Sequence, residues 1–389
     1  MNRKIRLLFV IENAVYGGGE KVFSQLIRGV PSAGFDVFCA ALPRGRFYEE
    51  IKGSCRFLPL DLTNRFDLRN ISGLKNMMLE HDIDIAHSQG ARADFYCALA
   101  AAGAGVKAVS TVAMPVEGFD VGFLRKRVYS LLNSLAEKRI CRFITVSKRL
   151  EAALSSTHGI PASKISLIQN PVDLAEFDPS NFDAGTIIER FSLRGRLVLG
   201  ALGRLEWQKG YPCLLKALSI FLEKEQELGK KLVCLVAGAG RLGTDLKNQA
   251  EAAGLSRNII FCGEISSVRD FLGALDIFVM PSLLEGQPLA LLEAMAMARP
   301  IIASDISGIR ETVLDGEQAV LVPPGNPGAL ADALCKLAKD PEAAARLGAN
   351  ARKKAEGFSL AGYIGRHAEL YAAVAGGAAG NPADPEKPQ

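Results

Sequence analysis

The feature that most constrains this chain is a set of short apolar runs in its second half: RLVLGALGRL, KLVCLVAG, NIIFCG, DIFVMPS and RPIIASD. Each is short for a helix and too continuously apolar for a strand with one face in water, so each reads as a strand buried on both faces. Between them lie YPCLLKALSIFLEKEQ, GTDLKNQAEAAG, VRDFLGAL and PLALLEAMAMA, segments of helical length. The first half repeats the alternation, with KIRLLFVIE, FDVFCAAL, IDIAHS, KAVSTVA and RFITVS as strands. Strands that alternate with helices run parallel, because each helix carries the chain back to the start of the next strand. The expected fold class is α/β, with two tandem Rossmann-like domains.

Composition narrows the class without naming a function. Hydrophobic residues make up 49% of the chain and charged residues 23%, a usage that supports two buried cores. No uncharged apolar run reaches the ~18 residues of a membrane span, and LLFVIE meets Glu12 too early for a signal segment, so a cytoplasmic protein is expected. Eight cysteines stand singly in apolar surroundings with no CxxC, the pattern of reduced core thiols, and four histidines make a zinc site improbable. The tail after Tyr371 is Ala-, Gly- and Pro-rich and is expected to be disordered. Residues 1–173 carry a net charge of +7 and the remainder −3. Much of the excess lies in FLRKRVYSLLNSLAEKRICRF, Phe123 to Phe143, a basic amphipathic stretch. It reads as the solvated face of a docked helix or as a surface for anionic lipid.

Several motifs point to a site at strand ends. In GALGRLEWQKGYPCLLKAL, a strand ends in glycine and Arg204 and Lys209 lead into a helix. Ligands of open α/β sheets bind beyond the carboxyl ends of the strands, and helix N-termini there favour anions, so two cations at this place suit a diphosphate; a pairing with Glu206 or solvent is the plain structural reading. Gly17, Gly18, Gly19 and Glu20 open an earlier helix, where the permissive backbone suits either a phosphate or an acceptor, or simply a tight turn. GAGRLG resembles a dinucleotide fingerprint but lacks the acidic residue ~20 positions on. Asp82 and Asp84 form a literal DxD at the start of a strand, the wrong end for a metal–diphosphate site. His87, near the end of that strand, is placed either to face a crevice or to sit in the core. In LLEGQPLALLEAMAMARP, two carboxylates, Glu285 and Glu293, enter and interrupt an apolar helix. A buried, unpaired carboxylate costs several kcal/mol, so Glu293 requires a partner.

GRLEWQKG followed by DIFVMPSLLEGQPLALLEAMAMARPIIASDISGIRETV is similar to the signature of retaining GT-B glycosyltransferases of family 4, the glycosyl transferases group 1. The family's E-x7-E is met by Glu285 and Glu293; GGGEKV, RFITVSKRL and IQNPVDLAEFDP extend the resemblance over residues 5 to 371. It implies the GT-B fold with a cleft between its domains: an acceptor-binding domain over 1–173, a nucleotide-sugar domain over 174–355, a helix over 356–373 returning to the first domain, and a tail over 374–389. By resemblance, Glu293 holds the donor ribose, Glu285 lies against the transferred sugar, and Arg204 with Lys209 holds the diphosphate. Gly286, Gln287, Gly18 and Gly19 complete the expected donor contacts.

The implied reaction moves a sugar from a UDP- or GDP-sugar to a glycan or lipid-linked acceptor with retention, in cell-surface polysaccharide or glycolipid synthesis. No cofactor, metal or nucleic acid is expected, and association with anionic membrane is. The sequence departs from the family at Ala298 and Arg299 before Pro300, at Ser307 where a second glycine is usual, and at Ala113 where many relatives carry a histidine facing the sugar. Glu117 or Asp120 is the candidate to replace that imidazole, with His87 as a further acceptor-side candidate. A nucleotide-sugar epimerase of similar fold and a catalytically silent nucleotide-sugar-binding subunit are the alternatives.

Overall fold

The computed structural model describes residues 3–64, 67–114 and 136–376. The chain forms two compact units: Met1–Asn170 with Leu360–Gln389, and Pro171–Ser359.

The first unit is built on seven parallel strands among the described residues: β1 (Arg6–Ile11), β2 (Asp36–Ala41), β3 (Arg56–Pro59), β4 (Ile85–Gln89), β5 (Lys107–Val112), β6 (Ile140–Thr145) and β7 (Ile165–Leu167). Their order across the sheet is β3-β2-β1-β4-β5-β6-β7. The order reverses between β1 and β4, which pair through Leu7↔Ile85 to Ile11↔Gln89. The helix Gly18–Gly29 buries Val22, Phe23, Leu26 and Ile27, while Glu20 in its first turn and Arg28 in its last complement the helix dipole. Helix Lys148–His158 starts at Ser147, whose hydroxyl accepts from the Leu150 amide, and stops at Gly159 in the left-handed region. The last helix, Leu360–Gly376, belongs to this unit and buries Tyr363, His367, Leu370, Tyr371 and Val374. Its carboxyl end is held by Lys107 of β5, whose Nζ donates to the Val374 and Ala375 carbonyls at 2.6 and 3.1 Å.

The second unit carries six parallel strands: β8 (Leu197–Leu202), β9 (Leu232–Ala237), β10 (Ile259–Gly263), β11 (Ile277–Met280), β12 (Ile301–Ser304) and β13 (Val320–Val322), ordered β10-β9-β8-β11-β12-β13. Strand alternation divides its core in two. Leu199, Ala201, Cys234 and Val236 face one cluster with Leu214, Leu218 and Phe221; Val198, Val233, Leu235 and Ala237 face the other with Leu291, Leu292 and Met295. Both faces are covered, which is why these strands read as unbroken apolar runs; each buried Leu or Phe contributes ~1.5–3 kcal/mol. The sheet order reverses between β8 and β11, the place beyond whose strand ends open α/β sheets bind ligands.

Ala298 takes φ +52° at the end of the helix Leu289–Ala296. The neighbouring Arg299 reaches past the helix end to donate to the carbonyls of Met297 and Leu275 at 2.9 Å each. All eight cysteines are free thiols. Among the described residues no helix is long and apolar enough to cross a membrane.

Candidate active site

The loops after β8 and β11 meet at the point where the second sheet reverses. After β8 the chain passes Gly203 and Arg204, makes a single turn at Trp207–Lys209, and enters the helix Tyr211–Lys224 through Gly210. Gly210 has φ +65°, and a Cβ there would lie 1.9 Å from the Pro281 carbonyl oxygen, so only glycine lets the two loops close on each other. The Leu283 amide donates to the Gln208 carbonyl at 2.6 Å and fixes their register. The result is a clasp: Lys209 Nζ donates to Glu285 Oε1 at 2.6 Å, and Ser282 Oγ donates to the same oxygen at 2.8 Å.

The Lys209 and Glu285 side chains are 20% and 9% exposed, so water screens this ion pair weakly. Beneath it, Tyr211 donates its hydroxyl to the Gly203 carbonyl at 3.1 Å. Its phenol is pushed up by burial first and by the Glu285 charge second, and stays protonated. Arg204 stands at the mouth, exposed and without an ion pair among the described residues. Glu206 is taken by Arg241 at 3.2 Å, so it neutralises neither Arg204 nor Lys209. Glu293 is 6% exposed within the helix Leu289–Ala296, and Gln287 is buried with Nε2 3.5 Å from Thr312 Oγ1. Gly308 closes the third side: a Cβ there would lie 2.4 Å from the Glu285 carbonyl oxygen and 2.5 Å from that of Gly286. Close backbone approach at this corner is therefore carried by Gly308, and Ser307 merely starts the short helix Ser307–Arg310.

Arg204, Lys209, Glu285, Gly286, Gln287 and Glu293 thus all lie in this unit, on elements that leave the carboxyl ends of β8 and β11. Gly18 and Gly19 lie in the first unit, at the start of helix Gly18–Gly29. His87 does not face a crevice. It is fully buried, with Nδ1 2.6 Å from the Tyr371 hydroxyl and Nε2 2.8 Å from Thr111 Oγ1, and burial holds its imidazole well below the ordinary range. It is a core residue that docks the last helix on the sheet, because Tyr371 arrives from 284 positions away and covers it. Glu117, Asp120 and the stretch 123–135 lie outside the described residues. The DxD is structural: Arg3 and Arg6 pair with Asp84 and Asp82 at 2.6 and 2.9 Å, at the amino ends of the strands. GAGRLG is a packing loop, since a Cβ on Gly238 would lie 2.1 Å from the Gly203 carbonyl oxygen. Nothing in the local sequence marks Ser282 or Tyr211; only position in the folded loops shows which hydroxyl meets Glu285.

Two doubly wound sheets in one chain, the second with a lysine–glutamate clasp at its reversal point, are the architecture of the GT-B fold. The model of Glycosyltransferase Family 4 matches residues 16–176 and that of Glycosyl transferases group 1 matches residues 187–354. Between them the two glycosyltransferase models span most of the chain, which is a glycosyltransferase of the GT-B fold. The chain is 26% identical over 381 residues to the UDP-Gal:alpha-D-GlcNAc-diphosphoundecaprenol alpha-1,3-galactosyltransferase of Escherichia coli, covering 95% of this chain and 97% of that protein. It is 32% identical over 219 residues to the lipopolysaccharide core biosynthesis mannosyltransferase LpcC of Rhizobium leguminosarum bv. viciae, covering 55% and 59%. Among solved structures it is similar to Anabaena Alr3699/HepE in complex with UDP-glucose, with a TM-score of 0.82 at 20% identity over 95% of this chain and 100% of that one.

Proposed function

We propose that this enzyme transfers a hexose from a UDP-sugar to a hydroxyl of a lipid-linked glycan, with retention of anomeric configuration, in the synthesis of a cell-surface polysaccharide or glycolipid. The observation that carries the reading is the clasp of Lys209 and Ser282 on Glu285 Oε1. Both donors converge on one oxygen and leave Oε2 as the carboxylate atom to offer a sugar hydroxyl or the positive charge that develops at the anomeric carbon. Arg204 and Lys209 would hold the diphosphate, Glu293 the ribose, and the Gly286–Gln287 backbone the remaining donor contacts of the second unit. In the reaction the acceptor oxygen bonds to the anomeric carbon as the bond from that carbon to the diphosphate oxygen breaks. The acceptor proton passes to the departing diphosphate on the same face. Arg204 and Lys209 stabilise the charge that grows there, the task a divalent cation performs in metal-dependent enzymes.

The Escherichia coli relative, whose name gives a UDP-galactose donor and a diphosphoundecaprenol-linked acceptor, supports this substrate class, as does the neighbour in complex with UDP-glucose. The test is incubation with UDP-galactose or UDP-glucose, with and without a synthetic N-acetylglucosaminyl-diphosphoryl lipid, following UDP release and the anomeric configuration of the product. Acceptor-dependent release with an α product supports the proposal. Conversion of donor without acceptor identifies an epimerase, and binding without turnover a silent subunit.

A further inference from the structure

The first unit holds a pair of thiols that the clasp of the second unit does not touch. Cys39 lies in β2, in register with Phe57 of β3, and Cys55 precedes Phe57 by two residues, so the three side chains share one face of the sheet. The helix Gly45–Ile51 covers that face. Its Tyr48 packs edge-on against Phe57 with ring centroids 4.8 Å apart, and its Phe47 and Ile51 are buried. Cys55 Sγ lies 3.8 Å from the Ile51 carbonyl oxygen, at the end of the helix. Cys39 is fully buried, whereas Cys55 is half-buried, just after the exposed residues Lys52 and Gly53. The two sulfurs meet, and the Cys39 thiol donates a hydrogen bond to Cys55.

That bond sets the pair apart from the other six cysteines. It is the main influence on Cys55 and holds its thiol below the ordinary range, although partial burial opposes it. Cys39 moves the other way, well above the range, through burial first and its contact with Cys55 second. In Cys97, Cys141, Cys213, Cys234, Cys262 and Cys335, burial raises the thiol. Cys55 is thus the one thiol of the eight drawn toward the thiolate, the form that attacks an oxidant, and solvent reaches it. Beside it stands a thiol that solvent does not reach. An accessible, acidified thiol in contact with a second one is suited to reversible oxidation, because the first takes up the oxygen and the second displaces it.

We propose that Cys55 and Cys39 form an oxidation site, at which a hydroperoxide oxidises Cys55 and Cys39 resolves the product as a disulfide. With hydrogen peroxide, the Cys55 thiolate attacks one oxygen and breaks the O–O bond; the product is a sulfenic acid, and the released hydroxide takes up a proton as water. The Cys39 sulfur then attacks the Cys55 sulfur and expels its hydroxyl, which leaves with the Cys39 proton as a second water. The two thiols lose two electrons and the peroxide gains them. For the sulfurs to bond, the exposed turn at Lys52 and Gly53 must give, and Gly53, at φ +88°, lies outside the core. The inference stands apart from the sugar-transfer reading, since its test follows only sulfur.

In that test the reduced full chain is treated with hydrogen peroxide, its thiols are counted in denaturant, and its peptides are mapped by mass spectrometry with dimedone present to trap sulfenic acid. The count should fall from eight to six, with Cys39 and Cys55 joined within one chain, and dithiothreitol should restore it. Cys55→Ala should keep all of its remaining thiols. Cys39→Ala should form no disulfide and should carry the dimedone adduct at Cys55. The proposal is overturned if peroxide consumes the thiols evenly, joins Cys55 to another cysteine or to a second chain, or leaves Cys55 reduced. Should Cys39→Ala fail to fold, the wild-type peptide map decides by itself.

Discussion

Replacing Glu285 tests the clasp most directly. In Glu285→Gln the amide oxygen still accepts from Ser282 and Lys209, but Lys209, four-fifths buried at its side chain, loses its counter-charge. Removing one partner of a buried pair outright costs about 3–5 kcal/mol; with an oxygen acceptor kept, about 1–3 kcal/mol is expected. For a unit of this size that is roughly 2–10 °C in its transition, followed by calorimetry so that the two units are resolved. Lys209→Met should cost more, because the Glu285 carboxylate is then left buried with Ser282 alone. The double variant should recover part of that loss, giving a coupling of about 1–3 kcal/mol. Ligand binding should split the same pair in opposite directions. Lys209→Met weakens UDP binding, whereas Glu285→Gln leaves it intact or tightens it by freeing the lysine, and cuts turnover. Additive stability losses, or full turnover in Glu285→Gln, would refute the reasoning.

Ala298 sits at φ +52°, where an L side chain is strained, so Ala298→Gly should stabilise the second unit by about 1 kcal/mol, read as a higher midpoint in urea. Asp94 receives a hydrogen bond from Ser88 at 2.6 Å, but burial raises its carboxyl to about 7. The folded state therefore holds this proton more tightly than the unfolded chain, and stability falls as pH rises from about 4 to about 7. Asp94→Asn should raise the melting temperature at pH 8 and lose that advantage near pH 4. Activity should survive exhaustive chelation; loss restored by magnesium or manganese would show that Arg204 and Lys209 do not suffice. The net charge of +7 on residues 1–173 predicts sedimentation with anionic but not neutral vesicles at low salt, weakening as salt is added.

The sequence by itself determined the two parallel sheets, because strands buried on both faces must be written as continuous apolar runs, and β8 to β12 are. It also marked where the second unit carries its charged groups, since cations after a strand-ending glycine and the spacing of Glu285 and Glu293 are local patterns. Tertiary structure alone decided how those groups are used at rest. Lys209 and Glu285 are 76 positions apart, and nothing local says that the lysine meets the carboxylate, or that Ser282 joins it on the same oxygen. His87 shows the same limit from the other side. Its place near a strand end suits a crevice or the core equally, and the choice fell to Tyr371, on a helix that folds back across the sheet from the far end of the chain. Whether a polar side chain at a strand end is a core contact or an open one depends on which distant element lies over it, and that is set by how the helices pack on the sheet, not by the residue's own neighbours in sequence.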